Sequence, residues 1–118
     1  MEPKATQASV KKKMKEDGIE FILAQFVDIH GSPKVKQVPV ECFDDIVEDG
    51  AGFAGAAVWG VGQGPHNHDL MARADVDTYQ QLPWKENVAL FSSNLYVDGE
   101  PHPYCPRGNL LRITKLFA

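Results

Sequence analysis

The chain has 118 residues, enough for one hydrophobic core and too few for two. Its composition, 43% hydrophobic and 24% charged with a net charge of −4, is that of a globular domain and argues against nucleic acid as the main partner. No apolar run approaches the roughly 18 residues that a membrane span needs, and the opening "MEPKATQASVKKKMKEDG" is polar throughout with no secretory core. A cytoplasmic protein without a membrane partner is expected. Cys42 and Cys105 form no close-spaced motif and are expected as two thiols rather than a disulfide.

In chain order, residues 5–17 read as a short helix. Val10 and Met14 lie four apart on one side, Lys11, Lys12, Lys13 and Lys15 form a solvated face, and Gly18 is the stop. Residues 19–28, "IEFILAQFVD", are apolar on both faces, the pattern of a central strand covered on both sides. "IHGSPK" supplies a turn and "KVKQVPV" a returning strand, which Pro39 ends or confines to an edge. Over residues 41–48 the period changes. Phe43, Ile46 and Val47 mark a short amphipathic helix closed by Gly50. "LMARADVDTY" predicts a strand and "NVALFSSNLYV" a clearer one, followed by a turn at Asp98-Gly99. Pro101 and Pro103 forbid a long partner strand after that turn, and Pro106 opens a final helix. That helix runs apolar and uncapped to the last residue, so a truncated sequence is expected.

Residues 50–69, "GAGFAGAAVWGVGQGPHNHD", hold six of the ten glycines and read as a loop too long and too flexible for regular structure. The string Gly50-Ala51-Gly52-Phe53-Ala54-Gly55 fits the dinucleotide fingerprint G-x-G-x-x-G by letter only. That fingerprint needs a strand before it and a helix after it, whereas here a helix precedes and further glycines follow. A phosphate-binding P-loop fails for want of a Gly-Lys-Ser/Thr ending. His66, His68 and Asp69, with His30 and His102 elsewhere, offer a weak metal set without a third ligand at diagnostic spacing. Ser92 and Ser93 lie in a predicted strand with no base at recognisable spacing.

Three local strings occur in an order that resembles the N-terminal β-grasp domain of the glutamine synthetase family. The hairpin "AQFVDIHGSPKVKQVPV" resembles the opening F-x-D-x-x-G hairpin, and "ECFDDIVEDGAGF" the short helix followed by an aromatic residue. "PWKENVALFSSNLYVDGEPHPYCPR" resembles the segment that ends the domain at a Pro-Arg. The resemblance covers roughly residues 18 to 118. It implies an α+β fold with the mixed sheet of a ubiquitin-like β-grasp. The expected organisation is an N-terminal helix over 1–17, the β-grasp domain over 18–103, and the start of a catalytic domain over 104–118.

By the same resemblance, the full-length protein is an ATP-dependent ligase that joins an amine to the γ-carboxylate of glutamate through a γ-glutamyl phosphate. ATP and Mg2+ (or Mn2+) are implied in the catalytic domain, with no catalytic or metal residue in this fragment, which alone is expected to be inactive. A homo-oligomeric ring, a dodecamer by family habit, is the implied partner. In it, the β-grasp loop reaches the active site of the neighbouring subunit. Where ammonia-using relatives carry aromatic-Asp-Gly-Ser-Ser and a later acidic residue, this chain has Phe53-Ala54-Gly55-Ala56-Ala57 and Asp69. Phe53, Ala54, Gly55, Trp59 and Asp69 are therefore the expected amine-side residues. Loss of the ammonium-binding carboxylate at Ala54 points to methylamine or another short alkylamine, as in the γ-glutamylmethylamide synthetase or type III-like branch. Two alternatives stand beside this reading: an ordinary ammonia-using glutamine synthetase, and a stand-alone β-grasp interaction module without catalysis.

Overall fold

The computed structural model describes residues 6–54 and 69–117. The helix α1, Gln7–Asp17, starts where Thr6 and Ser9 cap one another reciprocally, and ends at Gly18. The strands β1, Phe21–Val27, and β2, Pro33–Pro39, form the predicted antiparallel hairpin. At its turn the Asp28 carboxylate accepts from the backbone N–H groups of His30 and Ser32, each at 2.9 Å. These two bonds, that of Ser32 foremost, hold the Asp28 carboxyl below the usual carboxylate range. β2 ends at Pro39, as its missing N–H requires, and a single 3-10 turn leads into α2, Phe43–Glu48.

The longest strand, β6, Lys85–Val97, organises the sheet. Along one edge it pairs in parallel with β1 and then, antiparallel, with the two-residue β7, Glu100–Pro101. Its other edge takes β5, Gln80–Leu82, and then β4, Leu70–Ala74, which in turn pairs with β3, Ala51–Phe53. Among the described residues seven strands form one sheet with the main order β2-β1-β6-β4-β3. Asp98 and Gly99, both at positive φ (53° and 80°), make the tight β6–β7 turn. The last helix, α3, Pro106–Leu116, carries its proline at the first turn. The fold is the expected α+β arrangement with a mixed sheet.

Register places Ile22 and Ala24 of β1, Ala89 and Phe91 of β6, Ala74 of β4 and Ala51 of β3 in one core with Val10 and Met14 of α1 and Phe43 and Ile46 of α2. A second cluster, Phe26, Leu70, Ala72, Leu95 and Cys105, continues the same layer toward α3. Phe53 packs against both.

Two expectations are corrected. β1 is not covered equally on its two faces. Ile22, Ala24 and Phe26 are buried, whereas Phe21, Leu23 and Gln25 are half-buried, because α1 and α2 pack on one side only. Nor is residue 50–69 irregular from its start, since Ala51–Phe53 is a strand. The entry to it depends on Gly50, which turns at φ 100° so close to β4 that a Cβ there would sit 3.0 Å from the Ala72 carbonyl carbon and oxygen. β5 was not foreseen, because Gln80 and Gln81 have little intrinsic strand preference and its pairing with β6 decides the matter.

Gly50→Ala should destabilise the domain by roughly 1–3 kcal/mol, from positive-φ strain and the backbone clash, as read by urea denaturation. The Ser93 hydroxyl, fully buried in the β6 core layer, has no hydrogen-bond partner among the described residues. Ser93→Ala should therefore raise stability by about 1 kcal/mol, and a loss of that size in the same titration would contradict it.

Candidate functional site: the paired stems of the 54–69 loop

The ladder of β3 and β4 sets the geometry of the site. Phe53 lies opposite Leu70, so Ala54 and Asp69 are the next residues outward, one on each stem, and both are exposed. Gly55 and Trp59, two of the expected site residues, lie outside the described residues, as do His66 and His68. Phe53 faces inward, where its ring meets Phe26 of β1 edge-on, with centroids 4.9 Å apart and planes at 87°. Such a pair contributes about 0.5–1.5 kcal/mol beyond burial and fixes the base of the stem. On the neighbouring residue, a Cβ added to Gly52 would lie 3.7 Å from Asp69 Oδ2 and 3.8 Å from the Met71 sulfur. The two stems thus approach closely without clashing.

A further contact comes from the far side of the sheet. β2 and β3 stand at opposite ends of the strand order, yet Lys36 Nζ of β2 donates to the Gly52 carbonyl at 2.9 Å. The sheet is therefore coiled enough for its outer strands to meet through a side chain. Nothing in the local pattern of "KVKQVPV" singles out Lys36, because the pairing depends on sheet curvature, which periodicity does not encode.

The second built feature is the junction from β6 through β7 to α3. The buried Cys105 caps α3, its Sγ accepting from Gly108 N and also from Leu95 N, each at 3.3 Å. Arg107 spreads its guanidinium over Asn94 Oδ1 at 2.8 Å and Asp75 Oδ2 at 2.9 Å, tying α3 to β6 and to the end of β4. His102 is buried, and its Nδ1 accepts from the Tyr104 backbone N–H at 3.1 Å, which requires that nitrogen to be unprotonated. Burial lowers the His102 pKa below its ordinary 6.5. Cys42 and Cys105 are both free thiols.

Among the described residues, no group of three or more His, Cys, Asp and Glu side chains is arranged to hold a metal ion. No helix among the described residues is long and apolar enough to cross a membrane.

The profile of the family described as "Glutamine synthetase, beta-Grasp domain" matches residues 18–98. The chain belongs to that family. Its β-grasp sequence is 46% identical over 95 residues to the glutamate–methylamine ligase of Methyloversatilis universalis, covering 80% of this chain and 22% of the relative. It is 40% identical over 99 residues to the glutamine synthetase of Pyrococcus abyssi, covering 84% of this chain and 22% of that protein. A solved GmaS/ADP complex superposes with a TM-score of 0.85 at 34% identity, over 91% of this chain and 25% of the other. The cryo-EM structure of Plasmodium falciparum glutamine synthetase shares the β-grasp fold, with a TM-score of 0.77 at 16% identity over 95% of this chain and 22% of that one. The chain thus spans about a fifth of the length of the curated relatives it matches.

The β-grasp domain should lose stability in mild acid. Its folded His102 resists protonation more than the unfolded imidazole does, so stability is full above pH 6.5 and falls as pH drops from there toward the depressed folded value. The Asp28 and Asp44 carboxyls, held below 3.8, act only in a lower window. Urea unfolding between about pH 5 and pH 8 should show this slope in the parent protein and a flatter one in His102→Gln.

Proposed function

We propose that this β-grasp domain forms the amine-side wall of an ATP-dependent ligase that joins methylamine, or another short alkylamine, to the γ-carboxylate of glutamate. The observation that carries the reading is Ala54. It follows the anchored Phe53 on the stem of the loop, where the ammonia-using pattern has a carboxylate, in a chain 46% identical to a glutamate–methylamine ligase. Bound ATP supplies the phosphoryl group that turns a γ-carboxylate oxygen into a leaving group. What this chain adds concerns the amine.

An aspartate at position 54 would attract a small cation and accept its proton. A methyl group there removes the charge and leaves an apolar surface for an alkyl substituent, worth about 0.8 kcal/mol per buried CH₂. Asp69, on the facing stem, stands in the place of the pattern's later acidic residue and is the candidate to orient the alkylammonium before it loses its proton. Gly55 and Trp59 complete the proposed amine side. The active site is shared between subunits of a homo-oligomeric ring, a dodecamer on this reading, in which the loop reaches the neighbour's catalytic domain. Glutamate, the amine and ATP are the small-molecule partners.

An ordinary glutamine synthetase is the second reading, favoured by the 40% identity to the Pyrococcus abyssi enzyme. Steady-state rates of the full-length protein separate the two. Methylamine should exceed ammonium in kcat/KM, by about 10–200-fold if one methyl group is recognised. A ratio at or below one would leave the ammonia-using reading. Ala54→Asp should shift preference toward ammonium, and an unchanged ratio would remove Ala54 from the amine side.

A further inference from the structure

We propose that Lys36 is a positioning residue for the amine side of the site, acting through the backbone of the loop stem; the proposal rests on the assignment of Phe53, Ala54 and Asp69 to that side. Lys36 pairs with the buried Ala24 in the β1–β2 ladder, so its Cβ starts on the face of the sheet that carries the core. From the outermost strand its side chain reaches across the concavity to the Gly52 carbonyl, 2.9 Å away. The residue so held lies one peptide before Phe53 and two before Ala54.

Two independent contacts therefore fix this stem. The Phe53 ring is held from the core by Phe26, and the preceding carbonyl is held from the opposite edge by Lys36. The β4 stem needs no such device, because Met71, Ala72, Arg73 and Ala74 pair with β6. β3 has only three residues and one partner strand, so its end frays unless something besides the ladder secures it. A primary ammonium is suited to this use, since it donates to a carbonyl from a long reach without demanding a planar partner.

The plain alternative is that Lys36 only protects the sheet edge, as inward-placed charges on outer strands commonly do. Edge protection predicts an effect on solubility or association and none on the amine. A positioning role predicts an effect read selectively at the stem and at the amine, because a small displacement of a substrate-positioning group costs catalysis steeply.

The test compares Lys36→Met, Lys36→Arg and the control Lys34→Met in the full-length protein. Lys34, on the same strand, is paired with Asp28 at 3.8 Å rather than with Gly52. Lys36→Met should raise the KM for the amine by about 5- to 20-fold while the KM values for glutamate and ATP stay unchanged. Amide hydrogen exchange at Phe53, Ala54 and Leu70 should quicken in the same variant. Lys36→Arg should restore both readouts in large part, and Lys34→Met should alter neither. Wild-type behaviour of Lys36→Met in either readout overturns the proposal, as does an equal rise in all three KM values. If ammonium proves to be the amine used, its KM is the one read and the alkylamine reading alone fails. The exchange measurement needs no turnover, so it decides the tie from Lys36 to Gly52 independently of the reaction.

Discussion

Every buried N–H and C=O must find a partner, and in this domain one strand supplies partners to four others. β6 is thirteen residues long and offers both edges along its length, taking β1 and β7 on one side and β5 and β4 on the other. Strands that are distant in sequence become neighbours through it. The parallel pairing of Phe21–Gln25 with Val88–Ser92 brings the first hairpin beside the last third of the chain. The alternation along β6 then divides its residues between the layers. Ala89, Phe91, Ser93 and Leu95 line the core, and Leu90, Ser92, Asn94 and Tyr96 face the other way, where Tyr96 carries the Arg73 guanidinium 4.1 Å above its ring.

The site inherits its rigidity from that spine. β4 is held by β6, and β3 is held by β4. Ala54 and Asp69 therefore each stand next to a residue held in the ladder, Phe53 and Leu70. Phe53 belongs to both core clusters, so displacing it disturbs the packing around α2 and that around Cys105 together. Binding groups on loops carried by a rigid frame are a common arrangement, because the frame removes the entropy that the loop would otherwise lose on binding.

The N-terminal helix is joined to the same frame by side-chain contacts. Lys11 and Gln7 both reach Asp44 of α2, at 2.6 Å each, and hold its carboxyl below the usual range, Lys11 first. Asp17 accepts from the Tyr79 hydroxyl at 2.6 Å, and burial together with that carboxylate raises the phenol above its ordinary value. With Val10 and Met14 in the core, α1 packs into the unit formed by the sheet and α2. At the other end, α3 is held at its first turn by Cys105 and Arg107, while Leu110, Leu111, Ile113, Leu116 and Phe117 remain exposed.

Much of the local structure was legible in the sequence because its causes are local. The apolar runs "FILAQFV" and "NVALFSSNLYV", the turn pair Asp98-Gly99, Pro39 at the end of a strand and Pro106 at the start of a helix each act within a few residues. The family followed from the order of these strings, and so did the departure at Ala54. Tertiary structure alone decided three things. Ala51-Gly52-Phe53 looked irregular and became a strand because β4 offered an open edge. "QQL" became a strand because β6 had a free edge opposite β1. Lys36, an ordinary polar residue in its own strand, became the tie to Gly52 because the coiling of the whole sheet carries β2 back to β3. Pattern reading registers which face a residue occupies, whereas curvature sums the twist of every strand, and no single stretch of sequence contains that sum.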